Sequence, residues 1–177
     1  IGRVGTQNRQ IVPLAKIPLN VRYAVLAAED RNFYSNKAFS VTGIARAVLN
    51  NLRGGSLQGG STITQQYAKT AFLTPSRTIQ RKIKELVIAI KLENQLSKDQ
   101  IFESYLNTIY FGRGSYGVMT ASQQYFNRNV DQLTNSQAAV IASILRSPGL
   151  YDPKFKEGNA ERLANRFEYV KNNMIEA

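Results

Sequence analysis

The sequence predicts a mainly α domain with a minor β element at its N-terminus, and three observations carry that prediction. Apolar residues recur at helical spacing in several segments, as in Val21, Ala24, Val25 and Ala28. Capping signals precede such segments, the clearest being Ser97-Lys98-Asp99-Gln100, a serine followed three residues later by a glutamine. Strand-like patterning is limited to a short strand or hairpin within residues 1–17, around Ile11-Val12-Pro13-Leu14. At 177 residues and 43% hydrophobic content, the chain can build one domain with a sizeable core.

Taken in order, the first helix starts near Pro18, whose fixed φ suits a helix start, and runs into Glu29-Asp30-Arg31. Two acids at the C-terminal end of a helix oppose its dipole, which keeps a functional reading open beside that of a solvated helix end with a local Asp30–Arg31 pair. Phe33 to Phe39 reads as a loop. Ser40 caps a helix from Val41 to about Leu52, and residues 53–60 hold four glycines in eight positions. Ser61 to Ala71 forms a short helix after the glycines, whose N-terminus would offer N–H groups to an anion. Ser76 caps a long helix from Arg77 to about Gln95, with Ile79, Ile83, Leu86, Val87 and Ile90 as its core stripe. Glu85 lies off that stripe, near Arg81, Lys82, Ile88, Ala89 and Leu92, a neighbourhood that suggests a cleft wall. A plain i,i+4 surface pair of Arg81 with Glu85 is the competing reading. The helix after Ser97 carries Ile101, Tyr105, Leu106 and Ile109. Tyr110 to Gly117 is a glycine- and aromatic-rich turn, helices follow at about 117–126, 135–146 and 159–175, and Pro148 and Pro153 bracket a loop.

The composition narrows the chemistry. The net charge of +11 and the pI near 10.0 imply an anionic partner: nucleic acid, a membrane surface or a phosphorylated substrate. The absence of cysteine and histidine excludes thiol chemistry, Ser-His triads and the usual zinc sites. Acid/base work falls to carboxylates, lysines or tyrosines, and there are only 12 carboxylates to consider. The stretch Gly59-Gly60-Ser61-Thr62-Ile63-Thr64-Gln65-Gln66-Tyr67-Ala68-Lys69 gathers neutral hydrogen-bonding groups and a lysine, a set suited to sugar hydroxyls and phosphate oxygens. Charged clusters flank it: Glu29-Asp30-Arg31 upstream, and Arg77, Arg81, Lys82 and Glu85 downstream.

Five segments in this order resemble the glycosyltransferase family 51 domain, the peptidoglycan glycosyltransferase of class A penicillin-binding proteins. They are Glu29-Asp30-Arg31-Asn32-Phe33-Tyr34; Gly60 to Gln66 with Lys69; Arg81-Lys82-Ile83-Lys84-Glu85; Lys98 through Tyr105-Leu106-Asn107 to Tyr110-Phe111-Gly112; and Ala142 to Pro148. The resemblance covers nearly the whole chain. It implies a lysozyme-like fold of two lobes, one domain over 1–177 with a membrane-facing small lobe around 36–60. It implies inverting polymerisation of lipid II into β-1,4-linked glycan with release of undecaprenyl pyrophosphate. By the same resemblance Glu29 is the base and Glu85 the second essential carboxylate. Asp30, Ser61, Thr62, Gln65, Gln66, Lys69, Arg77, Arg81, Lys82 and Asn107 stand at substrate-binding positions. No cofactor is required, although a divalent cation, Mg or Mn, could assist. The implied partners are lipid II, the growing lipid-linked glycan, the membrane surface, a fused transpeptidase domain and an N-terminal anchor, with no nucleic acid. The implied location is the extracytoplasmic face of a bacterial membrane. One departure stands out: the family usually carries a histidine near the place of Asn36, and this chain has none. Two other readings remain on the sequence, a lytic lysozyme-like muramidase and a basic helical nucleic-acid-binding module. Neither explains why the cations converge on two glutamates.

Overall fold

The computed structural model describes residues 8–36, 61–74 and 78–175. The predicted helix over Val41–Leu52, its Ser40 cap, the glycine loop and the membrane-facing lobe therefore lie outside the described residues, apart from Asn36. What is described is mainly helical, as the sequence predicts. α1 spans Leu19–Glu29, α2 Ile63–Phe72, α3 Ile79–Gln95 and α4 Lys98–Thr108. α5 spans Val118–Phe126, α6 Asn135–Leu145, α7 Pro148–Tyr151 and α8 Asn159–Ile175.

The helices form two groups. α1 packs on α6 and α8, and α6 on α8; α2 packs on α3 and α4. α6 is the centre of the first group, with Ala138, Ala139, Ile141, Ala142, Ile144 and Leu145 all buried. Its many alanines let neighbouring helices approach closely from several sides. Val21, Ala24, Val25 and Ala28 are buried on α1 in the predicted stripe, and Ile63, Phe33, Phe102, Tyr105 and Phe111 join them in one core. Each such Val, Ile or Phe contributes roughly 1.5–3 kcal/mol by leaving water. The capping box at Ser97 and Gln100 forms as expected.

The short strand expected within residues 1–17 is present at Asn8–Arg9 (β1), ahead of the apolar run, and it pairs in parallel with Ser115–Tyr116 (β3), which pairs antiparallel with Tyr110–Gly112 (β2). Its partner is over 100 residues away, so no local pattern could reveal it. Leu14–Lys16 is a turn of 3-10 helix rather than strand. Two glycines are required at the hairpin. Gly112 has φ +93, and a Cβ on Gly117 (φ +85) would stand 2.8 Å from the Asn107 carbonyl oxygen.

α3 departs from the prediction twice. Thr78, not Ser76, is the N-cap, its side chain accepting from the Arg81 N–H; Ser76 and Arg77 lie outside the described residues. The predicted core stripe is largely the outer face: Ile79, Ile83 and Val87 are 66%, 43% and 44% exposed, while Glu85, Leu86, Ala89 and Leu92 are buried. The helix carries apolar residues on two faces, and α2 packs on the one with small residues, Ala68 against Ala89 and Leu92.

Candidate active site

The site forms where the end of α1 meets the start of α2. α1 ends at Glu29 with Asp30 as its C-cap, and Thr62 caps α2. The two ends are tied together, because Asp30 Oδ2 accepts the Ile63 N–H at 3.2 Å. The expectation of free N–H groups for an anion at this helix start is therefore corrected for two of them. The Ile63 N–H goes to Asp30 and the Gln65 N–H to the Thr62 hydroxyl at 3.3 Å.

Glu29 has a side chain only 8% exposed. Its Oε2 accepts from Gln66 Nε2 at 2.8 Å, and the same amide nitrogen donates to the Ser61 carbonyl at 3.1 Å. Gln66 Oε1 accepts from the Tyr105 hydroxyl at 3.1 Å. Burial, reinforced by Glu29 and Asp30, pushes Tyr105 well above its ordinary value, so the hydroxyl keeps its proton and donates. That orients the Gln66 amide with its oxygen to Tyr105 and its nitrogen to Glu29. Glu29 itself is raised above 4.5 by burial, against the Gln66 hydrogen bond and the charges of Arg166, Arg146 and Lys69. Burial also raises Asp30, against the Ile63 bond.

The second carboxylate sits on α3. Glu85 is 1% exposed, which rules out a surface pair. Its Oε2 accepts from Arg81 Nη1 at 2.8 Å and its Oε1 from Lys82 Nζ. Lys82 Nζ also donates to the Ser61 hydroxyl at 2.9 Å and reaches Gln65 Oε1 at 3.4 Å. Ser61 thus joins the halves: its carbonyl takes Gln66 and its hydroxyl takes Lys82. A single hydrogen-bonded chain runs from Tyr105 through Gln66, Ser61 and Lys82 to Glu85 and Arg81, with Glu29 hanging on Gln66. Two cations against one buried carboxylate leave a positive excess, and both cations keep some exposure, 18% for the Arg81 side chain and 29% for Lys82. Lys69 is exposed on α2, on the same side as Glu29, on whose charge it acts. The result is one buried, proton-hungry carboxylate beside an anion-attracting cluster.

Of the predicted site residues, Glu29, Ser61, Gln65, Gln66, Arg81, Lys82 and Glu85 share this network, with Lys69 beside it. Asp30 and Thr62 hold the helix ends. Arg77 lies outside the described residues. Asn107 is engaged elsewhere: its amide accepts the Val12 N–H at 2.8 Å and donates to the Val12 and Glu103 carbonyls, both at 2.9 Å. It pins the N-terminal segment to α4. Asn36 ends a turn, its N–H bonded to the Asn32 carbonyl at 2.7 Å. In the sequence Tyr105 stands out only as a helix residue within the fourth family segment, with no site role, and Arg166 lies outside all five segments. An apolar groove of about 370 Å³ between α6 and α8, lined by Val140, Leu163, Ala164 and Phe167, offers no ionisable group and no chemistry. Among the described residues no cluster of acidic side chains could hold a metal ion, and no helix is long and apolar enough to cross a membrane.

A family model described as transglycosylase matches residues 1–175. The chain is 50% identical over 173 residues to penicillin-binding protein 1A of Mycobacterium tuberculosis, covering 96% of this chain and 21% of that protein. It is 44% identical over 177 residues to penicillin-binding protein 1A of Neisseria gonorrhoeae, covering 99% and 22%. It thus spans about a fifth of the length of these relatives. The crystal structure of penicillin-binding protein 1A from Haemophilus influenzae matches with a TM-score of 0.53 and 26% identity, over 98% of this chain and 16% of that one.

Proposed function

This chain belongs to the transglycosylase family, and on that premise we propose that it is a peptidoglycan glycosyltransferase of cell wall synthesis. It polymerises lipid II into β-1,4-linked glycan and releases undecaprenyl pyrophosphate. The observation that carries the reading is the pairing of a buried carboxylate raised by its surroundings, Glu29, with a cationic cluster organised by a second buried carboxylate, Glu85.

The residues divide the work of an inverting displacement. Glu29 takes the proton from the acceptor 4-hydroxyl as its oxygen bonds to the donor's anomeric carbon. The bond from that carbon to the pyrophosphate breaks with its electron pair, and Arg81, Lys82 and Lys69 meet the charge that develops. Glu85 fixes the first two cations so that no reorganisation is needed. The reading requires no cofactor, and it is compatible with a divalent cation arriving on the pyrophosphate. It extends to the membrane surface as a partner, and to a transpeptidase domain and an N-terminal anchor on the same polypeptide, at the extracytoplasmic face of a bacterial membrane. The length of the relatives supports that extension. A lytic muramidase is not favoured, since its substrate carries no pyrophosphate for the cations.

The test is polymerisation of lipid II. Folded Glu29→Gln is expected to lose on the order of 10²–10⁴ in rate. Arg81→Lys, which keeps charge but not the planar fork, and Lys69→Ala should lower both turnover and the affinity for moenomycin, a phosphoglycolipid whose phosphoglycerate resembles the donor's pyrophosphate. Parental turnover in Glu29→Gln would remove it as the base. Parental turnover and affinity in both cation variants would move the pyrophosphate site elsewhere.

A further inference from the structure

The end of α1 carries two burdens that its own sequence does not relieve. The last carbonyls of a helix lack partners within it, and a carboxylate there stands at the negative end of the dipole. No basic residue occupies the last turn of α1. Relief comes from α8, more than 130 residues away. Arg166 Nη2 donates to the Ala28 carbonyl at 2.7 Å, and Asn173 Nδ2 donates to the Ala27 carbonyl at 3.2 Å. The two lie on one face of α8 with the fully buried Val170 between them.

Arg166 does more than strap the backbone. The same Nη2 stands 3.8 Å from Glu29 Oε1, and the Arg166 side chain is only 12% exposed. Oε1 is buried and has no hydrogen-bond partner among the described residues, whereas Oε2 is taken by Gln66. A buried carboxylate oxygen without a donor is strongly unfavourable unless a cation is near. Among the described residues, the groups that act on Glu29 are Gln66 and Lys69 of α2, Tyr105 of α4, Arg146 just past α6 and Arg166 of α8. Of these three cations, Lys69 and Arg146 are exposed and screened by water, while the Arg166 side chain is only partly open to it. Its guanidinium stacks 4.5 Å from the Tyr169 ring centre, which keeps the side chain in place.

We propose that Arg166, which lies outside the five segments that carry the family resemblance, is the positioning residue for Glu29: it clamps the last turn of α1 and sets a positive charge against Oε1, the oxygen that Gln66 does not take. This rests on the reading of Glu29 as the base, and the experiment separates the two. Glu29 is titrated by carbon NMR in the parent, Arg166→Gln and Arg166→Lys, and kcat/KM against pH is measured on lipid II. Gln keeps a hydrogen bond for Ala28 and removes the charge.

In Arg166→Gln the Glu29 titration should move to higher pH, because a lost cation disfavours the anion. The acid limb of kcat/KM should move with it, lowering turnover roughly ten-fold at the pH where the parent is half active. Arg166→Lys should bring both back towards the parent. Asn173→Ala, which loosens the same turn without changing charge, should lower kcat and leave the Glu29 titration in place. An unmoved titration in folded Arg166→Gln overturns the inference. A moved titration with an unmoved acid limb supports the clamp and sinks Glu29 as base. If Arg166→Gln does not fold, Arg166→Met is read the same way; if neither folds, Arg166 is a structural strap and the inference falls.

Discussion

Burial raises the Glu29 carboxyl above its ordinary 4.5, and every polar neighbour that favours the anion only partly offsets it. The sign has a consequence for stability. Between the unfolded and the folded value the folded state holds a proton that the unfolded state has lost. The stability tied to this group is therefore present below the unfolded value and is lost as pH rises through the folded one. Ionised Glu29 destabilises the fold at neutral pH while being the form that can act as a base. Glu29→Gln resembles the protonated acid and should melt above the parent at neutral pH. Calorimetry across pH should find the gap closing as pH falls below the Glu29 value. A gap independent of pH, or a Gln variant that melts lower throughout, would contradict this account.

Among the elements, α3 shows how packing selects between two apolar faces. Ala89 is 2% exposed and meets Ala68, so α2 and α3 approach closely there, while the larger Ile79 and Ile83 stay outward. Ala89→Leu should destabilise the protein by roughly 1–3 kcal/mol through overpacking, whereas Ile79→Ser with Ile83→Ser should lower stability by less than about 1 kcal/mol. Denaturant unfolding of the two variants checks the order, and equal losses would mean the helix is turned differently. The outward Ile79, Ile83 and Val87 lie beside exposed Lys84 and Lys91, an arrangement suited to the membrane surface of the proposed function. The serine pair should also weaken binding to vesicles, and unchanged binding would take this face out of that role.

For the molecule as a whole, the charge of +11 is spread well beyond the site. Binding to vesicles of anionic lipid should therefore fall steeply as salt rises past about 0.1 M, where the screening length is about 10 Å. Cosedimentation measures it; binding indifferent to salt would assign the contact to apolar residues alone. The hairpin and the short α7 are joined by a different use of charge. Arg113 donates twice, at 2.5 Å each, to Asp152, which is fully buried and also accepts from Tyr125 at 3.3 Å and the Lys154 N–H at 3.0 Å. Arg113→Ala would leave that charge buried and unpaired, and should cost about 3–5 kcal/mol in denaturant unfolding, a loss that an exposed pair could not produce.

The sequence alone determined the helical class, the Pro18 start of α1, the capping box at Ser97 and the helices near 118, 135 and 159. All of these are set by residues within a turn or two of one another, where periodicity and capping operate. Motif order was enough to mark Glu29 and Glu85 before any geometry was known. Only the tertiary structure decided which face of α3 is buried, because both faces are apolar and the choice belongs to Ala68 of another helix. It alone joined β1 to β3, tied Asp30 to Ile63, engaged Asn107 with Val12 and brought Tyr105 and Arg166 to the Glu29 side chain. Those contacts link residues tens to more than a hundred positions apart, and their energy comes from burial and charge pairing that exist only once the chain is packed.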